Sequence, residues 1–113
     1  MRNNQPISVM AVLVFACLIA ACFRQDILTV TLDVPQMRSD ECQQLVLRAI
    51  ESLDPEAILN ARFDVAAGEV TIRYNSMSLG RKNIEHAIAN AGFAVNTLPA
   101  NEDARQALPA GCR

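Results

Sequence analysis

The sequence predicts an α+β domain of four antiparallel strands with two helices on one face of the sheet. Two periodicities and their order predict it. Apolar residues alternate in period two near residues 28–34, 61–65 and 70–74, and recur at helical spacing over 42–53 and 84–91. The order is strand, helix, strand, strand, helix, strand. Each strand has one apolar face to cover, so both helices belong on the same side, the ferredoxin-like arrangement.

The first strand is Ile27 to Val34, where Leu28, Val30, Leu32 and Val34 alternate with Thr29, Thr31 and Asp33. Pro35 to Ser39 breaks the pattern. Ser39 or Asp40 is placed to cap a helix, and Asp40 and Glu41 set acid in its first turn, where the helix dipole favours it. Cys42, Val46, Ala49, Ile50 and Leu53 form the apolar stripe, opposite Arg48, Glu51 and Ser52, and Asp54-Pro55 ends the helix. Ile58 to Val65 is a second strand. Ala66-Ala67-Gly68-Glu69 is a turn with glycine where φ can be positive, and Val70, Ile72 and Tyr74 complete a hairpin. After a loop from Asn75 to Gly80, the residues Ile84, Ala87, Ile88 and Ala91 mark a second helix stopped by Gly92. Phe93 and Val95 begin a fourth strand that runs out near Leu98-Pro99. In the tail, Pro99 to Arg113, Asn101 can cap one or two turns over Glu102 to Leu108.

The 113 residues suffice for one domain, and much of the 51 % apolar content is N-terminal. Arg2 and the free amine precede an uncharged run from Ile7 to Phe23, the layout of an export signal. Ile19-Ala20-Ala21-Cys22 resembles the lipobox of bacterial lipoproteins, in which the cysteine is acylated and becomes the first mature residue. Cys17, with Phe15 two positions before it, fits worse. The alternatives are a plain cleaved signal and an uncleaved N-terminal transmembrane anchor, since a seventeen-residue helix would span roughly 26 Å. The expected division is a signal peptide at 1–21, a lipidated N-terminus and spacer at 22–26, the domain at 27–98 and the tail at 99–113. All versions place the domain on the periplasmic side of the bacterial envelope, tethered by lipid or anchor in two of the three. Without residues 1–21 the chain loses one base, Arg2. Its ten basic and twelve acidic residues become nine and twelve, a formal charge of −3. That balance offers no basic face for nucleic acid.

The spacing of the apolar positions is similar to the heavy-metal-associated domain of copper chaperones, copper-pump N-terminal domains and the periplasmic mercury-binding protein. The resemblance covers about Leu28 to Val95. C-x3-V-x2-A-I-x2-L is met by Cys42, Val46, Ala49, Ile50 and Leu53. I-x2-A-x-F-D-V-x2-G-x-V-x-I-x-Y is met from Ile58 to Tyr74, and I-x2-A-I-x2-A-G-F-x-V from Ile84 to Val95. The family's G-M-x-C-x-x-C motif is degenerate here. Met37 and Cys42 stand, but Gln36 replaces the glycine and Ser39 replaces the first ligand cysteine. The resemblance therefore implies the scaffold and not an intact site.

In the family two thiolates hold a soft ion such as Cu(I) or Hg(II). Ser39 is a hard, neutral donor and cannot replace a sulfur, so Cys42 alone should bind such an ion weakly. The helix N-terminus lowers the Cys42 thiol pKa, while Asp40 and Glu41 oppose that effect. Cys112 can supply a second sulfur. From the far end of a fourth strand the tail must return about 15–20 Å, and fourteen residues can span that. Three relations stay open: a metal-binding pair, a disulfide, or no functional contact. Met37 is a soft thioether that usually packs inward in the family. His86 points outward as a surface residue. Asp40 and Glu41 could join Cys42 at a harder ion such as Zn(II), or simply favour the helix start. Phe93 matches an aromatic near the family's metal loop and also fits core packing.

No Ser-His-Asp arrangement, phosphate loop or pocketed carboxylate pair is visible, so the chain is expected not to be an enzyme. The leading reading is a membrane-tethered domain that binds or transfers a soft metal ion through Cys42, helped by Cys112, with a metal-donor or metal-acceptor protein as partner. The alternatives are a scaffold that has lost its ion and serves protein interaction, and a thiol redox protein using a Cys42–Cys112 bond.

Overall fold

The computed structural model describes residues 26–113. The expected export signal at 1–21 and the expected lipidation site at Cys22 lie outside the described residues. Among those described, no helix is long and apolar enough to cross a membrane.

The elements are β1 (Ile27–Asp33), α1 (Asp40–Glu51), β2 (Ile58–Asp64), β3 (Glu69–Asn75), α2 (Arg81–Asn90), α3 (Glu102–Ala107) and a 3₁₀ turn at Ala110–Cys112. Among the described residues the sheet is antiparallel in the order β1-β3-β2. Leu32 pairs with Val70, Val30 with Ile72 and Phe63 with Val70. The inward residues Leu32, Val70 and Ile72 join Val46 and Ile50 of α1 and Ile84 and Ile88 of α2 in one buried core. Period two in the strands and period 3.6 in the helices thus meet on one interface. A bulge between Ile58 and Asn60 interrupts β2 and leaves Leu59 outward.

A three-stranded sheet replaces the expected four. The fourth segment reaches β1 at one residue only. Asn96 donates its backbone N–H to Asp33 O (2.9 Å), and its side-chain oxygen accepts from Asp33 N (2.9 Å). The chain then reverses, with Val95 and Leu98 exchanging backbone hydrogen bonds of 3.0 and 2.8 Å. Asn96 sits at φ 51°, left-handed backbone that asparagine tolerates better than most residues and that ends an extended run. Pro99 follows and has no N–H to give a sheet ladder. Asn101 N then donates to Ala89 O (2.9 Å), returning the chain to α2. The long walk back from a far strand end is therefore not needed.

Asn96 also donates through Nδ2 to Glu85 (3.1 Å), which pairs with Arg81 (3.2 Å). It thereby links the sheet edge to α2. Asn96→Ala removes both side-chain bonds and keeps the left-handed backbone. A loss of about 2 kcal/mol is expected, read as a lower urea midpoint at unchanged slope.

Two residues assigned to the apolar stripes remain exposed. Leu28 lies near the start of β1, where no fourth strand flanks it, and Leu53 lies beyond the last turn of α1, which ends at Glu51.

Candidate functional site

The candidate site is built where β1 hands over to α1. Met37 N donates to Val34 O (3.0 Å), closing a turn with Pro35 second, where its fixed φ suits the bend. This turn rests on the β2–β3 hairpin, Val34 N donating to Gly68 O (2.7 Å). Gly68 has φ +69°, and a side chain there would meet Val34 O at 3.4 Å and Pro35 Cα at 3.5 Å.

Ser39 caps α1. Its Oγ accepts from Cys42 N (3.3 Å) and donates to Cys42 Sγ (3.2 Å). The residue that stands in place of a ligand is thus a helix cap that also touches the surviving cysteine. Asp40 and Glu41 are exposed in the first turn, in keeping with helix-start electrostatics.

Cys42 is joined to Cys112 by a disulfide, with Cα atoms 5.6 Å apart and 70 residues between them in sequence. Both are sealed from solvent, at 0 % and 1 % exposure. The tail that delivers Cys112 is an integral part of the packing. Asn101 caps α3, its side-chain oxygen accepting from Ala104 N (2.9 Å). Leu108 is buried in the core, and the 3₁₀ turn closes with Cys112 N on Pro109 O (2.8 Å). Arg113 Nε donates to Leu108 O (3.0 Å).

Two residues make this docking work. Gln36 is buried, and its amide bonds three backbone groups. Nε2 donates to Gly92 O (2.9 Å) and Cys112 O (3.0 Å), and Oε1 accepts from Ala94 N (2.8 Å). The glycine of the resembled motif is replaced by an amide that ties the tail to the loop after α2. Sequence reasoning registered Gln36 only as a lost glycine. The signal available was a long amide at a turn, in a chain with extra residues after the last expected strand.

Gly92, at φ +103°, ends α2 and lets α3 approach closely. A Cβ there would lie 2.8 Å from Ala104 C and from Arg105 N. Gly92→Ala is expected to cost about 2–4 kcal/mol through left-handed strain and forced separation of α3. It should also speed reduction of Cys42–Cys112 by a dithiol, because the lifted tail exposes the bond. Thiol release timed against the parent protein checks this.

The other candidates are placed apart from this pair or serve packing. Met37 and Phe93 are fully buried in the core, and His86 is exposed on α2. Among the described residues, no group of three or more His, Cys, Asp or Glu side chains is arranged to hold a metal ion. A soft ion needs thiolates, and a disulfide offers none. Reduction would free two sulfurs held beside a hydroxyl donor, a set that suits a two-coordinate soft cation.

No protein-family model matches the chain, and no curated protein sequence matches it. Solved structures do match in fold. Oxidized MerP from Ralstonia metallidurans CH34 superposes with TM-score 0.57 at 21 % identity, covering 63 % of this chain and 96 % of that one. The putative copper-ion-binding protein from Bacillus anthracis str. Ames gives 0.58 at 20 %, covering 65 % and 100 %. The CopZ metallochaperone gives 0.56 at 22 %, covering 61 % and 100 %. The fold is of the heavy-metal-associated type.

Proposed function

We propose that this chain is an exported, membrane-tethered domain that binds or passes on a soft metal ion of the Cu(I) or Hg(II) type through Cys42 and Cys112. One observation carries the reading: the tail brings a sulfur to the start of α1, where Ser39 stands in place of the first ligand of the resembled motif. The fold neighbours support it, being described as MerP, a putative copper-ion-binding protein and a metallochaperone. The domain is not an enzyme. It sits on the periplasmic side of the envelope, held through Cys22 or an uncleaved anchor, and exchanges its cargo with a donor or acceptor protein.

The pair works only when reduced. A dithiol reductant supplies two electrons and two protons, becomes a disulfide itself and leaves two thiols on this chain. Deprotonation then gives the thiolates that hold the ion. The Ser39 hydroxyl, 3.2 Å from Cys42 Sγ, is within reach to donate a hydrogen bond to that sulfur. Burial of both sulfurs makes the exchange depend on lifting the tail.

Metal analysis of anaerobically reduced protein, beside Cys42→Ser, Cys112→Ser and the double variant, tests the reading. Retention of one equivalent by the parent alone is expected. Retention no greater than in the double variant ends it.

A second reading is a scaffold without metal, closed by a permanent disulfide and serving as an envelope interaction domain. The Gln36 clamp favours it, because the amide bonds Cys112 O of the tail and both Gly92 O and Ala94 N after α2, tying the two together apart from any role of the sulfurs. Reduced parent protein that ignores Cu(I) while keeping its tail docked would select it. Thiol redox exchange as the main task is disfavoured by the burial of both sulfurs.

A further inference from the structure

The large exposed apolar side chains among the described residues are Ile27, Leu28, Leu53, Leu59 and Met77. They come from four different segments, yet the topology gathers them at one end. Ile27 pairs with Asn75 and Ile58 with Tyr74, so the start of β1, the start of β2 and the end of β3 lie together. Ser76 donates to Asp26 O through its backbone N–H (2.9 Å) and its hydroxyl (3.0 Å), and Asn75 N donates to Ala57 O (2.9 Å). The loop carrying Met77 and the segment leaving α1 past Leu53 are thereby drawn to the same end. The disulfide lies at the other end, near Asp33 and the Gly68 turn, about 20 Å away along a seven-residue strand.

We propose that this apolar end rests in the membrane interface and orients the domain with the Cys42–Cys112 pair facing away from the bilayer. The occupant follows from where the described chain begins. The uncharged run ends at Phe23, and Asp26 and Ile27 enter the fold at the apolar end itself. From Cys22 to Ile27 the chain can reach at most about 18 Å. A domain on so short a tether keeps this end against the lipid surface whether the chain is held by an acylated Cys22 or by an uncleaved segment. The inference rests on the membrane attachment proposed above.

The attraction is apolar and not electrostatic. Arg81 and Lys82 at the start of α2 share this end with Asp26, Asp54 and Glu56, so neither sign prevails. Binding of this end should therefore hold in zwitterionic lipid and change little with salt. Met77, at 73 % exposure, is placed to insert.

The chain contains no tryptophan, so one introduced indole reports its own surroundings. The full chain, purified from membranes and reconstituted into phosphatidylcholine vesicles, is compared as Met77→Trp and Ala67→Trp; Ala67 is exposed at the opposite end. The expected result is a blue-shifted Trp emission at position 77, quenched at least about threefold more by lipid brominated near the headgroup than the position-67 indole, and unchanged by salt. Equal quenching at the two positions, with the protein still floating with the vesicles, overturns the orientation and leaves the attachment standing. Failure to float with lipid overturns the attachment and the orientation with it. A blue shift at position 77 without lipid quenching, in a chain that sediments as a dimer in detergent, assigns the patch to a second copy and also overturns the proposal.

Discussion

Reduced Cys112→Ser protein is expected to bind Cu(I) at least about a hundredfold more weakly than the reduced parent, roughly 2.7 kcal/mol. Losing even an outer-shell partner of a metal ligand commonly costs about ten- to a hundredfold, and here a direct sulfur is removed. Serine is close in size, and the Gln36 contact to residue 112 goes to the backbone carbonyl, so the tail can stay docked. What disappears is one soft anionic donor. Neither remaining neighbour replaces it. The Ser39 hydroxyl lies 3.2 Å from Cys42 Sγ but is hard and neutral, and Met37 is committed to the core. Adding Ser39→Cys to this variant should recover the loss, because it returns a thiol to the helix start, at about 1 kcal/mol of stability for the lost cap. Competition titration against a chelator of known affinity reads both effects. Equal affinity of parent and Cys112→Ser would show that Cys112 is not a ligand.

Opening the disulfide should be the largest single change in stability. A cross-link closing a loop of about 70 residues removes enough chain entropy from the unfolded state to contribute about 4 kcal/mol. A domain of this size has roughly 4–13 kcal/mol in total. The reduced apo-protein should therefore be near the edge of stability, with a melting midpoint about 15–30 °C lower. Circular dichroism melts with and without reductant check this. One equivalent of Cu(I) should restore part of the loss in reduced parent and none in the double serine variant, since an ion held by both sulfurs favours the folded state through its binding energy. A shift under about 1 kcal/mol would mean that Gln36, Leu108 and α3 already hold the tail without the covalent bond.

The helices, the hairpin and the two glycine turns were legible because each is a local rule written in consecutive residues. Cys42, Val46 and Ile50 recur at the helical period, Ser39 caps, and Gly68 and Gly92 take positive φ where turns require it. The capped turn after Asn101 was legible for the same reason. The missing fourth strand was not. Phe93 and Val95 alternate like a strand, but Asn96 in left-handed backbone and the reversal to Leu98 decide the path, and that choice depends on Asp33 and Glu85, distant in sequence. At the site, chain reach allowed Cys112 to meet Cys42, but distance arithmetic could not distinguish an alliance of sulfurs from two bystanders. The deciding groups are Gln36, which looked like a defect in a motif, and Gly92, whose second use against α3 depends on a tail outside the resemblance. Leu28 and Leu53 lie on apolar stripes yet stay exposed, because periodicity reports a face and says nothing of where the cover over it ends.

In the proposed function, one pair of sulfurs, closed as a disulfide and opened by reduction, is the binding site. The most direct measurement is an anaerobic Cu(I) titration of the same preparation before and after reduction, with thiols counted in each. No tight binding is expected while Cys42 and Cys112 are joined, and one tightly bound equivalent once these two thiols appear. Equal binding in both states, or none after both thiols are free, would contradict it.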